Sequence, residues 1–142
     1  MPFLQYDDEA RYLAAIGLLD ALGGIKKRPS SAKTGNYTIA VATDPSGTIF
    51  TNRGAGAQVT FTLPAPAPSL DGVFYEFVGV ANQNLAVAGA SAGQIVTFNN
   101  AAAASVTCST ASQKIGAHLT ATCDGTSWWV NGDTVGVTYT VA

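Results

Sequence analysis

The sequence predicts a mainly β protein: an antiparallel β-sandwich or jelly-roll-like domain that carries an N-terminal amphipathic helix. From residue 36 onward, about nine short runs of apolar residues, Thr and Ser are separated by turn residues at a spacing typical of sandwiches and barrels. A helical spacing of apolar residues occurs only within residues 1–24. The 142 residues suffice for one domain with its own core, which we place at residues 36–142.

Residues 1–24 predict the amphipathic helix. Asp7, Asp8 and Glu9 crowd its first turn, where carboxylates suit the positive end of the helix dipole, and Gly23 and Gly24 end it. Other leucines lie beside the main apolar stripe, so the helix has more apolar surface than one contact needs. We expect it to dock on the β domain and on a second partner, or on copies of itself. The stripe consists of Tyr12, Ala15, Ile16, Leu19 and Leu22.

Residues 25–35 predict a basic linker. Pro29, Ser30, Ser31 and Gly35 are typical of a connection without regular structure. A solvated hinge is the favoured interpretation, and the alternative is an arm that lies on an acidic surface. Four of the seven basic residues of the chain lie in this segment: Lys26, Lys27, Arg28 and Lys33.

The stretch 49–64 predicts a β-hairpin around which the domain is arranged. Two β-rich runs, Thr48–Thr51 and Gln58–Leu63, flank the glycine-rich turn Asn52–Ala57. In the second run apolar residues alternate with threonines, which puts the two kinds of side chain on opposite faces. Pro64 has no N–H and ends the strand. We therefore expect two neighbouring strands with one dry face and one wet face.

Later segments continue the β pattern. Val73–Val80 is the most apolar run and predicts a central strand that is packed on both sides. The small residues of Asn99–Ala104 predict a loop. Asp124–Thr126 is a tight-hairpin signal between two strands. Val135–Val141 alternates apolar residues with Gly and Thr, and predicts the last strand.

Composition restricts the classes of function. Charged residues make up 11% of the chain and the net charge is −2, which argues against a nucleic-acid partner. No apolar run reaches the roughly 18 residues that a membrane helix needs, and the N-terminus lacks the basic region of a secretory signal. Neutral polar residues replace the usual surface charges, which indicates either extensive contact with neighbouring molecules or a compositional bias.

No catalytic, cofactor-binding or metal-binding residues are predicted. His118, the single histidine, heads a predicted strand without a recognisable nucleophile or carboxylate partner. Beyond the helix the acidic residues lie mostly in turns, where Asp bonds the backbone. Glu76 is the exception, and we expect it in a buried ion pair with Arg53 or Lys114, or facing a neighbouring subunit. The sequence therefore favours a non-enzymatic protein that needs no cofactor.

The two cysteines and the two tryptophans leave alternatives open. Cys108 and Cys123 are too few for a disulfide framework or a zinc site. Two buried free thiols are favoured, and a single bridge is the alternative. Trp128 and Trp129 are adjacent in a predicted strand, so they point to opposite faces and at most one of them is exposed. Core or interface anchoring is favoured, and an exposed platform for a sugar ring is the alternative.

Residues 36–131 resemble a β module of tailed-phage structural proteins. Such modules occur at the ends of tail fibres and in head-decoration (cement) proteins, often as trimers. Full-length fibres have a repetitive shaft that this sequence lacks, which favours a decoration protein. The resemblance implies no catalytic residues. It rests on the segments Tyr37–Ile39, Gly47–Ala55, Val59–Pro64, Gly72–Phe77 and Asp124–Val130.

The residues and the resemblance together predict a capsid decoration protein that binds and stabilises the phage head as a homotrimer. The expected partners are the chain itself and the phage major capsid protein, and the expected location is the capsid surface, after assembly in the host cytoplasm. The alternative is a tail-fibre or receptor-binding tip module that recognises a host surface glycan or protein. The expected docking residues are Tyr12, Ile16, Leu19, Leu22, Lys26, Lys27, Arg28 and Lys33.

Overall fold

The computed structural model describes residues 27–133 and 136–142, and over these residues the protein is mainly β, as the sequence predicts. The only helical element among them is a 3-10 turn at Pro68–Leu70. The predicted helix at residues 1–24 and the first residue of the predicted last strand lie outside the described residues. The strands are β1 (Ser30–Ala32), β2 (Tyr37–Thr38), β3 (Ile49–Thr51), β4 (Val59–Thr62), β5 (Phe74–Val78), β6 (Leu85–Ala88), β7 (Ile95–Thr97), β8 (Asn100–Ala103), β9 (Ser105–Cys108), β10 (His118–Cys123), β11 (Trp128–Gly132) and β12 (Tyr139–Val141).

The strands form two mixed sheets. Seven strands form one sheet in the order β1-β3-β5-β10-β11-β7-β8, and five form the other in the order β12-β9-β6-β4-β2. Both sheets contain parallel as well as antiparallel pairs, so the predicted purely antiparallel arrangement is wrong. The reason is the path of the chain, which changes sheet after every strand from β1 to β6.

The first six strands wind between the two sheets as a flattened coil, which we call the winding (residues 30–88). β1, β3 and β5 are parallel neighbours in the seven-stranded sheet, and β2, β4 and β6 are parallel neighbours in the five-stranded sheet. A chain that crosses to the opposite sheet and returns runs in its original direction again. The strand that it forms on its return is therefore parallel to the strand that it left, as in other crossover connections.

The remaining strands complete both sheets beside the winding. β10 pairs antiparallel with β5, and β9 pairs antiparallel with β6. Two hairpins, β7–β8 and β10–β11, lie in the seven-stranded sheet, and the second confirms the turn signal at Asp124–Thr126. The predicted loop at Asn99–Ala104 is wrong, because most of it forms β8. β8 is the edge strand of the seven-stranded sheet and has one neighbouring strand. An edge strand packs against fewer residues than an interior strand, so small side chains suffice there.

The predicted hairpin at residues 49–64 is also wrong. Both of its strands form, and in β4 the buried Val59 and Phe61 alternate with half-buried threonines, as the sequence pattern requires. β3 and β4 nevertheless lie in different sheets, and each has parallel neighbours instead. The ring centroids of Phe50 and Phe61 are 5.3 Å apart. The two strands thus face each other across the core instead of pairing within one sheet.

One hydrophobic core contains buried side chains from both sheets. Phe50 of β3 lies at its centre and is fully buried. On another side of the core, the indole N–H of Trp128 donates a 2.8 Å hydrogen bond to the carbonyl oxygen of Pro64, which ties β11 to the end of β4. Aromatic contact thus joins the sheets directly. The four aromatic neighbours of Phe50, at ring-centroid separations of 5.3 to 5.8 Å, are Tyr37, Phe61, Tyr75 and Phe77.

β5 confirms part of the prediction for residues 73–80. It lies inside the seven-stranded sheet, between β3 and β10, but only one of its faces is packed: Tyr75 and Phe77 are buried, whereas Phe74 is 37% exposed. Packing on both sides was the wrong expectation, because no strand or helix of residues 27–133 and 136–142 covers this side. We call this side the outer face. It comprises Phe74, Glu76, Val78, Val96, His118, Thr120, Thr122, Trp129 and Asn131.

Asn52 holds two turns of the winding together. It follows β3 directly and is fully buried. Its side-chain oxygen accepts hydrogen bonds from the amides of Val80 and Ala81 at 2.8 and 2.9 Å. Its side-chain nitrogen donates to the carbonyl oxygen of Gln83 at 3.2 Å. This one side chain therefore satisfies three backbone groups of the connection between β5 and β6, at Val80, Ala81 and Gln83.

Replacing Asn52 by Ala should lower the free energy of unfolding by about 3 kcal/mol, because two partly buried amides lose their acceptor. Urea unfolding followed by tryptophan fluorescence measures this change. Asn84→Ala is the matched control: its side chain bonds only the exposed Gln58, so we expect a loss of about 0.5 kcal/mol or less. Equal losses in the two variants would contradict the role assigned to Asn52.

Candidate functional site

The described residues provide no assembled catalytic machinery. No group of three or more His, Cys, Asp or Glu side chains among them is close enough to hold a metal ion. Asp44 is buried, and its carboxylate accepts hydrogen bonds from the Tyr37 hydroxyl and the Ala40 amide, both at 3.0 Å. Asp124 accepts bonds from the backbone amides of Ser127 and Thr126, which lower the pKa of its carboxyl group. Both carboxylates therefore stabilise turns.

A charged cluster on the outer face involves Glu76. Its carboxylate is 2.8 Å from the Arg28 guanidinium and 3.8 Å from Nε2 of His118. The predicted partners Arg53 and Lys114 were wrong, because the chain before β1 crosses the sheet at this point and carries Arg28 to Glu76. The predicted burial was also wrong, since both side chains are partly exposed. Such a pair is screened by solvent and is worth at most about 1 kcal/mol.

Arg28 makes two further contacts that fix the start of the winding. Its Nε donates a 2.9 Å hydrogen bond to the carbonyl oxygen of Gly47, and its guanidinium lies 5.4 Å from the centroid of the Phe74 ring. β1 then pairs with β3, where the Lys33 amide donates to Thr51 at 2.8 Å. Arg28 thus clamps the first strand to the sheet.

The structure locates three of the eight predicted docking residues. Arg28 is in the clamp, Lys27 is exposed, and the Lys33 ammonium lies 3.6 Å from the centroid of the Tyr37 ring. Arg28 and Lys33 therefore have partners within their own chain. Part of the predicted linker at residues 25–35 forms β1. The other five docking residues lie outside the described residues: Tyr12, Ile16, Leu19, Leu22 and Lys26.

Neutral side chains occupy most of the outer face. Cross-strand pairing places Phe74 opposite Thr122, Thr122 opposite Trp129, and Trp129 opposite Val96. This row carries an exposed aromatic ring on each side of a threonine: Phe74 is 37% exposed and Trp129 is 50% exposed. Trp128 is fully buried, so the prediction that the two tryptophans point to opposite faces is confirmed.

A groove of about 420 Å³ opens beside Trp129. Its lining residues come from β11 and from the neighbouring β7–β8 hairpin. None of the eight lining residues, all within the described part of the chain, carries a charge. Sequence reasoning missed this groove. It is lined by Val96, Thr97, Phe98, Asn99, Asn100, Ala101, Trp129 and Asn131.

The hairpin turn beside the groove has an unusual backbone. Phe98 and Asn99 adopt positive φ angles of 32° and 67°, as a two-residue hairpin turn of the primed type requires. Asn tolerates this conformation, but a bulky residue such as Phe does so only where its surroundings enforce it. The Phe98 ring stacks on Tyr139 at 5.0 Å, and this contact holds the turn in place. The Asn-Asn pair at 99–100 was the available sequence signal for this turn.

The two cysteines do not contribute a reactive thiol to the surface. Both are free and buried, and they lie in different sheets, Cys108 in β9 and Cys123 in β10, so the alternative of a bridge is not realised. Burial raises the pKa of the Cys108 thiol to about 12. The thiolate is the reactive form, so this thiol is inert near neutral pH.

Comparison with known proteins identifies no family. No protein-family model matches the chain, and no curated protein matches it. Within residues 27–133 and 136–142, no helix has the length and hydropathy needed to cross a bilayer. The resemblance to tailed-phage modules therefore stays a prediction from sequence pattern, and a function has to be argued from the outer face.

The cysteines should resist a thiol-specific reagent in the folded protein at about pH 8 and react fully in urea. The Cys123→Ser variant reports on Cys108 alone. Because burial raises its pKa to about 12, the folded state holds the Cys108 proton more tightly than the unfolded chain does. The resulting stabilisation is complete below about pH 8 and is lost as the pH rises towards 12. Rapid labelling of native Cys123→Ser would contradict this burial.

Arg28→Ala should loosen β1 without unfolding the protein, because it removes the ion pair to Glu76 and the bond to Gly47. Hydrogen exchange of the Lys33 amide should accelerate about fivefold, the change expected for roughly 1 kcal/mol at a partly exposed pair. Amides of β10 should exchange at unchanged rates. Arg53→Ala, at an exposed arginine, is the control. Unchanged exchange at Lys33 in Arg28→Ala would rule out the clamp.

Proposed function

We propose that this protein is a non-enzymatic structural protein of a tailed-phage virion, a capsid decoration protein that binds and stabilises the head as a homotrimer. The observation that carries the proposal is the outer face, where neutral side chains and two exposed aromatic rings form a broad surface. Aromatic residues are enriched in protein interfaces, and Lys and Glu are depleted there. The resemblance of residues 36–131 to phage modules supports the same assignment.

The proposed fold is a β-sandwich in which the two mixed sheets stack face to face. The aromatic contacts between Phe50 and Phe61, one from each sheet, support this arrangement. A sandwich of this kind is a rigid body, because its strands share one core. A rigid subunit can hold two neighbouring capsid proteins at a fixed separation.

The proposed mechanism is stabilisation by binding. A protein that binds only the assembled shell stabilises it by mass action, in the same way as a ligand stabilises a folded state. Apolar surface buried in the contact contributes about 25 cal/mol per Å². Few charges lie on the outer face, so little charge has to be desolvated where a neighbouring molecule covers this face.

The proposed docking surface combines the N-terminal apolar stripe with the basic residues that follow it. An acidic patch on the major capsid protein is the matching partner for this basic segment. Within this surface we assign the capsid contact above all to Lys27, because it is exposed, whereas Arg28 and Lys33 have partners in their own chain. The complete set is Tyr12, Ile16, Leu19, Leu22, Lys26, Lys27, Arg28 and Lys33.

The purified protein should have three times the mass of one chain in light scattering, and it should co-sediment with phage heads. Reversing two charges, Lys26→Glu with Lys27→Glu, should weaken head binding about tenfold, and added salt should weaken the binding of the original protein. Lys114→Glu is the control, because this lysine lies outside the basic segment. A monomeric mass would reject the trimer. Undiminished binding by the double variant would reject the docking surface.

A second candidate is a tail-fibre or receptor-binding tip module that recognises a host surface glycan or protein. The specific observation that favours it is the exposed Trp129 in an uncharged groove. Binding assays with isolated heads and with host cells separate the two candidates. A decoration protein binds heads and leaves cells unbound, and a receptor-binding module does the reverse.

A further inference from the structure

We propose that the groove beside Trp129 binds an uncharged sugar ring. This inference rests on the second candidate function, recognition of a host surface glycan, and assigns to it a site and a class of ligand. It uses three features of the groove: an exposed indole, amide side chains around it, and the lack of charge among its lining residues.

The indole of Trp129 provides the stacking surface. Half of its surface is exposed to solvent, although β11 itself is an interior strand with a parallel neighbour, β7, and an antiparallel one, β10. Its backbone is therefore fixed on both sides, so no backbone rearrangement is needed when a ligand stacks on the ring. A pyranose ring has one face of C–H groups that matches the flat apolar face of an indole. An apolar ring beside polar groups is typical of small-ligand sites.

The amide side chains provide hydrogen bonds for the hydroxyl groups of a sugar. Asn99 and Asn131 are both exposed and line the groove, Asn131 from β11 and Asn99 from the β7–β8 turn. Each amide has two donors and one acceptor, which suits hydroxyl groups that both donate and accept. The strained turn at Phe98 fixes the position of Asn99, and the Phe98–Tyr139 stack supports that turn. The site is therefore largely formed before the ligand arrives, which lowers the cost of binding.

The charge of the groove selects the class of ligand. A sialic acid, a uronic acid or a phosphate would need a cationic partner, and none of the eight lining residues provides one. The Arg28 clamp is separated from Trp129 by β10 and is already paired with Glu76. Uncharged hexoses and N-acetylhexosamines are thus the expected ligands. A single ring in an open groove should bind weakly, with a dissociation constant on the order of 1 mM.

The test is a titration of the full-length, isotope-labelled protein followed by NMR. The sugars are methyl galactoside, methyl glucoside and N-acetylglucosamine, with glucuronic acid and N-acetylneuraminic acid as charged counterparts. At least one uncharged sugar should shift the indole N–H signal of Trp129 and the side-chain amide signals of Asn99 and Asn131. The charged sugars should leave these signals in place. Shifts confined to other residues, or no shift with any of the five sugars at tens of millimolar, would overturn the proposal.

Variants separate stacking from a general effect on the fold. Trp129→Ala should weaken sugar binding about tenfold, and Trp129→Phe should retain part of it. Phe74→Ala, at the other exposed aromatic residue of the same face, should leave sugar binding unchanged. The signal of the buried Trp128 indole reports whether each variant is folded. Equal affinities in the original protein and in folded Trp129→Ala would overturn the proposal.

Cell-binding measurements distinguish this inference from the function on which it rests. If Trp129→Ala loses the sugar but still binds host cells, the groove is a sugar site and the host receptor binds elsewhere. If sugar binds but cells do not, the sugar site stands and the second candidate function is rejected. Concentration-dependent shifts of Trp129 in the absence of sugar would show that a second copy of the chain covers the groove, and would overturn the proposal.

Discussion

The contact between Phe50 and its aromatic neighbours is the constraint on which the rest of the structure depends. Phe50 and Phe77 belong to one sheet and Phe61 to the other, and all three ring centroids lie within 5.2 to 5.7 Å of each other. The strands near this cluster direct most of their large side chains inward, which keeps the core filled. Alternation along the strands then leaves short polar side chains and isolated aromatic rings for the opposite side of each sheet.

That alternation explains why one of the two adjacent tryptophans is buried and the other is exposed. Trp128 and Trp129 are neighbours in sequence, yet one anchors the core through Pro64 and the other faces solvent beside a groove. The sheet fixes the backbone of both residues, because they belong to the same strand. Binding groups on such a platform would need little reorganisation, which suits the functions that we propose. The charged residues of the outer face are mostly engaged with each other, in the Arg28–Glu76 clamp.

Period-two alternation predicted the strands and their buried faces well, because that signal is local. It placed the strand character of residues 58–63 and the opposed tryptophans correctly. It did not identify neighbours: β3 and β4 read as a hairpin, but they face each other across the core. The same limit applied to Glu76, whose partner Arg28 precedes β1 and is distant in sequence. It applied also to the groove, which combines β11 with a hairpin distant in sequence. The path of the chain decides which sheet a strand joins and which strands become its neighbours. Alternation carries no information about that path.

The winding determines how such a protein can change in size. One circuit runs from Ile49 to its parallel partner Glu76, and the next begins from there. Each complete circuit adds one strand to both sheets and extends the body by about 4.8 Å. A single inserted residue within a strand would reverse its inner and outer sides, whereas a duplicated circuit would preserve them. Adding whole circuits of the winding would therefore lengthen the domain while its buried and exposed sides stay the same.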